Sequence, residues 1–340
     1  MFKTFQMELA GRPLIIETGK MAKQANGAVL VRYGDTVVLV ATTASKEPRE
    51  GTDFFPLTVD YEEKMYAVGK MPGGFLRREG RPGNSAILNA RLIDRPIRPL
   101  FDKRCRNDVH VVATVLSVDY DNAPELCGML GASASIGISD IPWDGPIAGV
   151  RIGRVDGKYV VNPTQEQLAE SSMNITVAGS EEAIMMVEGG ANEAPEEEVL
   201  DAIMFGHETI KELCRFQKKI IEEVGKPKRT MVFPEVPEEI DEAVAAYATE
   251  DLKKAIFDAD KLRRDGNIDA VKKAAKEHFA DIYPENGADV AESLDHLTKQ
   301  IVRDSISNEG IRPDGRKLTE IRPITCEVGL LPRVHGSALF

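Results

Sequence analysis

Little in this chain could build a covalent or metal-held framework. Its four cysteines, Cys105, Cys127, Cys214 and Cys326, are far apart, and none forms a Cys-x-x-Cys pair. That spacing argues against a disulfide scaffold or a zinc knuckle and fits reduced thiols in a cytoplasmic protein. No apolar run approaches the ~20 residues that span a bilayer. The opening MFKTFQMELAGRP lacks the continuous apolar core of a signal peptide, so the chain reads as cytosolic with no membrane partner. There is no GxxxxGK[ST], no GxGxxG after a strand, no HExxH and no GxSxG, which removes the common signatures of nucleotide, metalloprotease and serine-hydrolase sites. The five histidines are scattered, and each reads more readily as structural or solvated than as a ligand.

Positive charge is also scarce overall. Lys and Arg number 43 against 55 Asp and Glu, for a net charge of −12, which excludes a protein that coats nucleic acid over its whole surface. Yet the segment from Gly73 to Arg106 holds eight arginines and Lys103 against only Glu79, Asp94 and Asp102, a local charge of +6. An acidic protein that gathers arginine in one place brings an anion there. Guanidinium groups suit bidentate phosphate contacts and stacking on bases. Arg91 and Arg95 are four apart and would share a helix face, with Arg98 continuing the line if the helix survives Pro96. Their partner is either phosphate or a carboxylate such as Asp94 or Asp102. Arg81, Arg104 and Arg106 read as local ion pairs or general steering.

At 340 residues the chain should form about two domains. Val29–Thr43 reads as a hairpin turning at Tyr33-Gly34-Asp35, and Ile147–Val161 as another turning at Val155-Asp156-Gly157-Lys158. Phe54–Tyr61, Val109–Asp119, Asn174–Ala178 and Ile184–Val187 read as further strands. Asn84 is placed to cap a helix that Pro96 and Pro99 should kink or end. The small apolar run CGMLGASASIG suits a helix packed closely on a sheet. Helical spacing runs from Pro195 to Val224 behind Glu196, Glu197 and Glu198. Three prolines mark 225–237 as a linker. Residues 238–308 are rich in Ala, Glu, Lys and Leu and read as a small bundle of about four helices, with breaks near Thr249, Gly266-Asn267 and 284–287. The tail changes again: Cys326-Glu327-Val328-Gly329 followed by Gly336-Ser337-Ala338-Leu339 parallels Ile16-Glu17-Thr18-Gly19 followed by Gly27-Ala28-Val29-Leu30. A second α/β unit is therefore expected to start at 309–340, and a strand left there without its partner suggests a piece of a longer protein.

Three motifs, GGFLRREGRP (73–82), RLIDRPIRPLF (91–101) and IRPDGR (311–316), in this domain order, resemble bacterial polynucleotide phosphorylases. The resemblance covers essentially the whole chain. It implies an α+β fold: a first RNase PH-like unit at 1–224, with halves 1–145 and 146–224, in mixed and antiparallel sheets with packed helices. An all-α helical domain follows, then the start of a second unit. For the parent protein it implies a ring-shaped homotrimer, KH and OB-type RNA-binding domains further on, RNA-degradation complex partners, and 3′→5′ phosphorolysis of single-stranded RNA. Inorganic phosphate is the co-substrate, with Mg²⁺. The family's catalytic and metal-binding residues belong to the second unit, so no catalytic or metal residue is assigned here. The family's channel loop maps onto Phe75, Leu76, Arg77 and Arg78, where a ring stacks on a base while guanidinium groups hold phosphate. Leu76 stands where the family commonly has a second Phe and supplies no π face. By the same analogy Arg91, Arg95 and Arg98 can face substrate phosphate. Two other readings are an RNA-binding and assembly module without catalysis, and an enzyme that grips a phosphorylated metabolite through Arg91 and Arg95.

Overall fold

In the computed structural model, which describes residues 2–49, 51–52, 54–231, 233 and 235–340, the chain divides into the units Met1–Phe233 and Pro234–Phe340. The first unit opens with two hairpins. Strands β1 (Lys3–Leu9) and β2 (Arg12–Thr18) are joined by Ala10 and Gly11, both at positive φ, and β3 (Gly27–Tyr33) turns at Gly34 into β4 (Thr36–Pro48). Left-handed residues at these two-residue turns match the right-handed twist of the flanking strands. Strands β5 (Leu57–Glu63) and β6 (Asn107–Ser117) complete a six-stranded sheet of order β1-β2-β3-β4-β6-β5. Only β5 and β6 run parallel. Their connection therefore crosses over the sheet and carries helix α1 (Asn84–Ile97).

Helix α2 (Pro124–Ile138) lies at the centre of the unit. Every residue from Leu126 to Ile138 is buried, which its small side chains permit. It packs on β3, β4 and β6 on one side and on a second sheet on the other. That sheet is antiparallel, ordered β10-β9-β7-β8, and built from β7 (Ala148–Val155), β8 (Lys158–Val161), β9 (Met173–Gly179) and β10 (Ile184–Ala191). A short helix, α3 (Gln165–Glu170), is held by a capping box on Thr164. The long α4 (Glu196–Val224) buries Ala202, Ile210, Leu213 and Ile220 against β7 and β9. Two serine hydroxyls inside this core are paired: Ser135 Oγ meets Thr42 Oγ1 at 2.6 Å, and Ser133 Oγ accepts from the Ile147 amide at 2.9 Å.

Residues 226–229, in the stretch expected to be a linker, are tied to this unit. The Lys228 ammonium donates to the carbonyls of Ile136, Gly137 and Ser139 at 3.1, 2.8 and 2.8 Å. These carbonyls lie at the C-terminal end of α2 and its cap residue Ser139, where helical donors run out. Burial of Lys228 pushes its pKa down, so the three acceptors are what hold the ammonium there.

The second unit has three α-helices, α5 (Glu238–Ile256), α6 (Lys261–Ala280) and α7 (Gly287–Asp304), where the composition led us to expect about four. Thr249 does not break α5, because its hydroxyl back-bonds to the Ala245 carbonyl at 2.5 Å. Gly266 sits inside α6 with open space beside it. The break at 284–287 is where α6 and α7 separate. A π turn, Ser305–Glu309, follows α7. Ile240, Val244, Leu252, Phe279, Val290 and Leu294 form the bundle core. Past it, Arg312 and Asp314 close the IRPDGR turn: the Arg312 amide donates to the Arg316 carbonyl, and Asp314 pairs with Arg316 at 2.6 Å. Ala338–Leu339, expected as a strand without a partner, pairs with Glu327–Val328.

A methyl group added at Gly131 would fall 2.5 Å from Val40 Cγ2 and 3.1 Å from Val31 Cγ2. Gly131→Ala should destabilise the first unit by about 1–3 kcal/mol through overpacking. The chain's one tryptophan, Trp143, lies in this unit and donates to the Ile97 carbonyl, so urea unfolding followed by its fluorescence measures the loss.

Candidate nucleic-acid interface

The crossover between β5 and α1 supplies the candidate site. A short 3-10 turn, Met65–Val68, ends at Gly69 in the left-handed region. The chain then runs outward, and Gly73, Gly74, Gly80 and Gly83 have nothing within 4 Å of where a Cβ would stand. A turn closes at the tip, where the Arg77 amide donates to the Gly74 carbonyl at 3.0 Å and Arg77 itself takes a positive φ of 49°. That turn lifts Phe75 to 100% and Leu76 to 79% exposure. A fully exposed phenylalanine gains nothing from the fold, so its hydrophobic and π surface is available only to a partner.

The arginines of the segment sort into two groups. Among the described residues Arg77, Arg78, Arg81 and Arg91 have no carboxylate partner, whereas Arg95 pairs with Glu188 of β10 at 2.6 Å. Arg98 is committed to the fold: it chelates Asp94 at 2.6 and 2.9 Å and donates to the carbonyls of Phe55 and Leu57. Arg104 pairs with Asp102, and Arg106 donates to the carbonyls of Lys103 and Cys105. Helix α1 runs through Pro96 to Ile97, with Pro96 in its last turn. Its N-cap is Gly83, and Asn84 is its first residue. The expected line Arg91–Arg95–Arg98 is therefore split: Arg91 is open, Arg95 bridges to the second sheet, and Arg98 folds back on its own helix. Arg81, read as a local ion pair or steering charge, has no carboxylate partner.

Behind the loop lies a cleft of about 640 Å³, walled by the end of β5 and by residues 78–83. Tyr61, Glu63 and Lys64 belong to its lining and were not singled out from the sequence; the charged run after the β5 pattern was the available signal. Lys64 pairs with Glu62 at 2.5 Å. Glu79 accepts from the Met65 amide, and backbone amides, its own and that of Met65, hold its carboxyl below the usual range. Burial, reinforced by Glu125, pushes the Glu63 carboxyl upward. Glu125 at the start of α2 is itself paired with Arg151 at 2.6 Å. Among the described residues no three His, Cys, Asp or Glu side chains come together to hold a metal ion. No helix among them is long and apolar enough to cross a membrane.

A projecting ring, adjacent open guanidinium groups and a cleft behind them can stack a base and hold phosphates without reading sequence. Comparison with known proteins gives the chain a family. The model of the 3′ exoribonuclease family, domain 1, matches residues 10–142, and that of domain 2 matches residues 145–209. The chain belongs to the 3′ exoribonuclease family. A third model, polyribonucleotide nucleotidyltransferase, RNA binding domain, matches residues 239–317. Polyribonucleotide nucleotidyltransferases of Heliobacterium modesticaldum and Syntrophomonas wolfei are each 57% identical over 338 residues, 99% of this chain and 48% of theirs. That of Brevibacillus brevis is 54% identical over 343 residues. The chain thus spans about half the length of the curated relatives it matches. A crystal structure of rice (Oryza sativa) Rrp46 aligns with 65% of this chain and 94% of that one, at 14% identity and a TM-score of 0.49.

The division among the arginines has a measurable consequence. Arg98→Ala should cost about 1–2 kcal/mol, because it removes the cation that holds Asp94 and the donors to the Phe55 and Leu57 carbonyls. Arg91→Ala should stay within about 0.5 kcal/mol. Equal losses in urea unfolding would contradict the assignment.

Proposed function

We propose that this chain is the RNA-gripping part of a phosphorolytic 3′→5′ exoribonuclease, which degrades RNA with inorganic phosphate to nucleoside diphosphates. The observation that carries the reading is the tip of the crossover: Phe75 fully exposed beside Arg77 and Arg78, neither of which has a carboxylate partner among the described residues. Phe75 stacks on a base, Arg77 and Arg78 hold the flanking phosphates, and Leu76 adds apolar contact without a π face. Arg91, on the exposed face of α1, is a further phosphate contact, while Arg95 and Arg98 act by shaping the site. The family resemblance supports the reading. It also gives bond cleavage, with Mg²⁺ and phosphate, to the matching unit of the parent protein, and a homotrimer and RNA-degradation partners to the whole enzyme. In this reading 1–224 is the RNase PH-like unit, 238–308 the helical domain and 309–340 the start of the second unit. The setting is the cytoplasm.

The test uses the purified chain with a fluorescently labelled single-stranded oligoribonucleotide. Binding should weaken steeply with salt. Replacing Arg77 and Arg78 together by Ala should flatten the slope of log K against log salt by roughly 1.4, about 0.7 for each lost phosphate contact. An unchanged affinity and slope would remove the loop from the interface. The chain alone should release no nucleoside diphosphate from RNA and phosphate, and such release would overturn the division of labour.

A further inference from the structure

We propose that the cleft behind the Phe75 loop seats one phosphodiester of single-stranded RNA, held by Arg78, Arg81 and the open N-terminus of α1. The proposal rests on the RNA reading above and extends it from Arg78 to Arg81, Tyr61 and the start of α1, which nothing yet assigns.

Three independent features converge on the cleft. Helix α1 is 14 residues long and starts behind Gly83, with no side-chain cap and no acidic residue in its first turn. Its first amides are therefore unsatisfied donors at the positive end of the helix dipole. Natural helices usually fill such an end with a Ser, Asp or Asn cap, and this one leaves it facing the cleft, with Pro82, Gly83 and Ala86 in the lining. Arg78 and Arg81 line the same space, and neither has a carboxylate partner among the described residues. Tyr61 is the third feature. It is 1% exposed, it lines the cleft, and its hydroxyl has no hydrogen-bond partner. The Asn89 side chain of α1 lies beside it without forming a well-aligned hydrogen bond. Burying a hydroxyl unpaired is unfavourable, and an anionic oxygen entering the cleft would give it an acceptor.

The acids of the cleft do not cancel these donors. Glu62 is neutralised by Lys64. Glu63 is pushed toward its neutral form by burial and by Glu125. Glu79 keeps its charge and is tied to the Met65 amide. Two guanidinium groups and a helix N-terminus thus face Glu79 and a Glu63 whose carboxyl is pushed upward. Arg78 is also the residue next to Arg77, so a strand stacked on Phe75 has its next phosphate delivered to the mouth of the cleft.

The experiment measures binding of the same labelled oligoribonucleotide to single variants of the full chain across a salt series. Arg81→Ala should lower affinity by roughly 3- to 10-fold and flatten the salt slope by about 0.7, the loss of one phosphate contact. Tyr61→Phe keeps the ring and removes only the hydroxyl; it should weaken RNA binding several-fold with no loss of thermal stability. Asn84→Asp places a carboxylate on the helix start. It should raise the melting temperature, as an acid at a helix N-terminus does, and yet weaken RNA binding, a combination that general electrostatic damage to the fold cannot produce. Lys23→Ala, in a different cleft, is the control and should change nothing. If replacing Arg77 and Arg78 weakens binding while Arg81→Ala, Tyr61→Phe and Asn84→Asp leave affinity and slope intact, the seat is overturned and the loop reading stands. If none of them has an effect, both fall. Inorganic phosphate at matched ionic strength should displace RNA from the wild type more readily than from Arg81→Ala. Phosphate binding that depends on Arg81, with RNA affinity that does not, would show a free-phosphate site and sink the proposal.

Discussion

The burial of α2 on every side is the constraint on which the first unit depends. A helix between two sheets has no solvent face on which to place large or charged residues. Thirteen consecutive positions here are therefore small or apolar, with Ser133 and Ser135 paired to neighbouring strands. Close packing at Gly128 and Gly131 brings the six-stranded sheet onto the helix, and Gly149 of β7 does the same from the other side by admitting Met129. With the centre of the sheet covered in this way, β5 is left at its edge, parallel to β6. Parallel neighbours cannot be joined by a tight turn. The chain must leave the sheet, cross over it and return, and the excursion it makes is the arginine-rich segment. The projecting loop is thus a consequence of strand order.

Much of this was legible in the sequence. The Gly34 and Asp156-Gly157 turns, the small-residue helix and the long amphipathic α4 each carry a local signal with one physical solution. The β1–β2 hairpin was overlooked although Phe5, Met7 and Leu9 alternate with Thr4, Gln6 and Glu8. Its turn is Ala10-Gly11, and alanine does not advertise a left-handed conformation. The helix breaks expected at Thr249 and Gly266 failed because both positions tolerate a helix, one through a back-bonding hydroxyl and one on an open surface. Their propensity cost is small beside the apolar packing of α5 and α6.

The fate of each arginine was not legible, for a reason of distance. Arg95 is settled by Glu188, and Arg98 by carbonyls at positions 55 and 57. A charge run in sequence shows how many cations there are, and only the fold shows which have been spent on internal partners. The same applies to Arg81, whose open guanidinium became visible once the cleft wall was known, and to Tyr61, which reads as a strand residue until its hydroxyl is found buried without an acceptor.

The acidity of the remainder bears on what the island of arginine can do. Residues 238–309 alone carry eighteen acidic against ten basic side chains. At physiological salt, charges are screened beyond about 8 Å. This acidity discourages a polyanion from spreading over the helical unit. A uniformly basic surface would hold RNA at many places with similar energy, and a strand so held would have no direction. In the proposed reading the attraction is confined to one aromatic tip with Arg77 and Arg78, backed by a cleft with Arg81 and a helix N-terminus. An enzyme that consumes a strand from one end needs that strand to move. Contacts to phosphate and ring faces are nearly the same at every nucleotide, so a grip made only of these permits movement by one residue without a change in energy. In the proposed reading Leu76 offers a passing base apolar contact without the π face of a second ring.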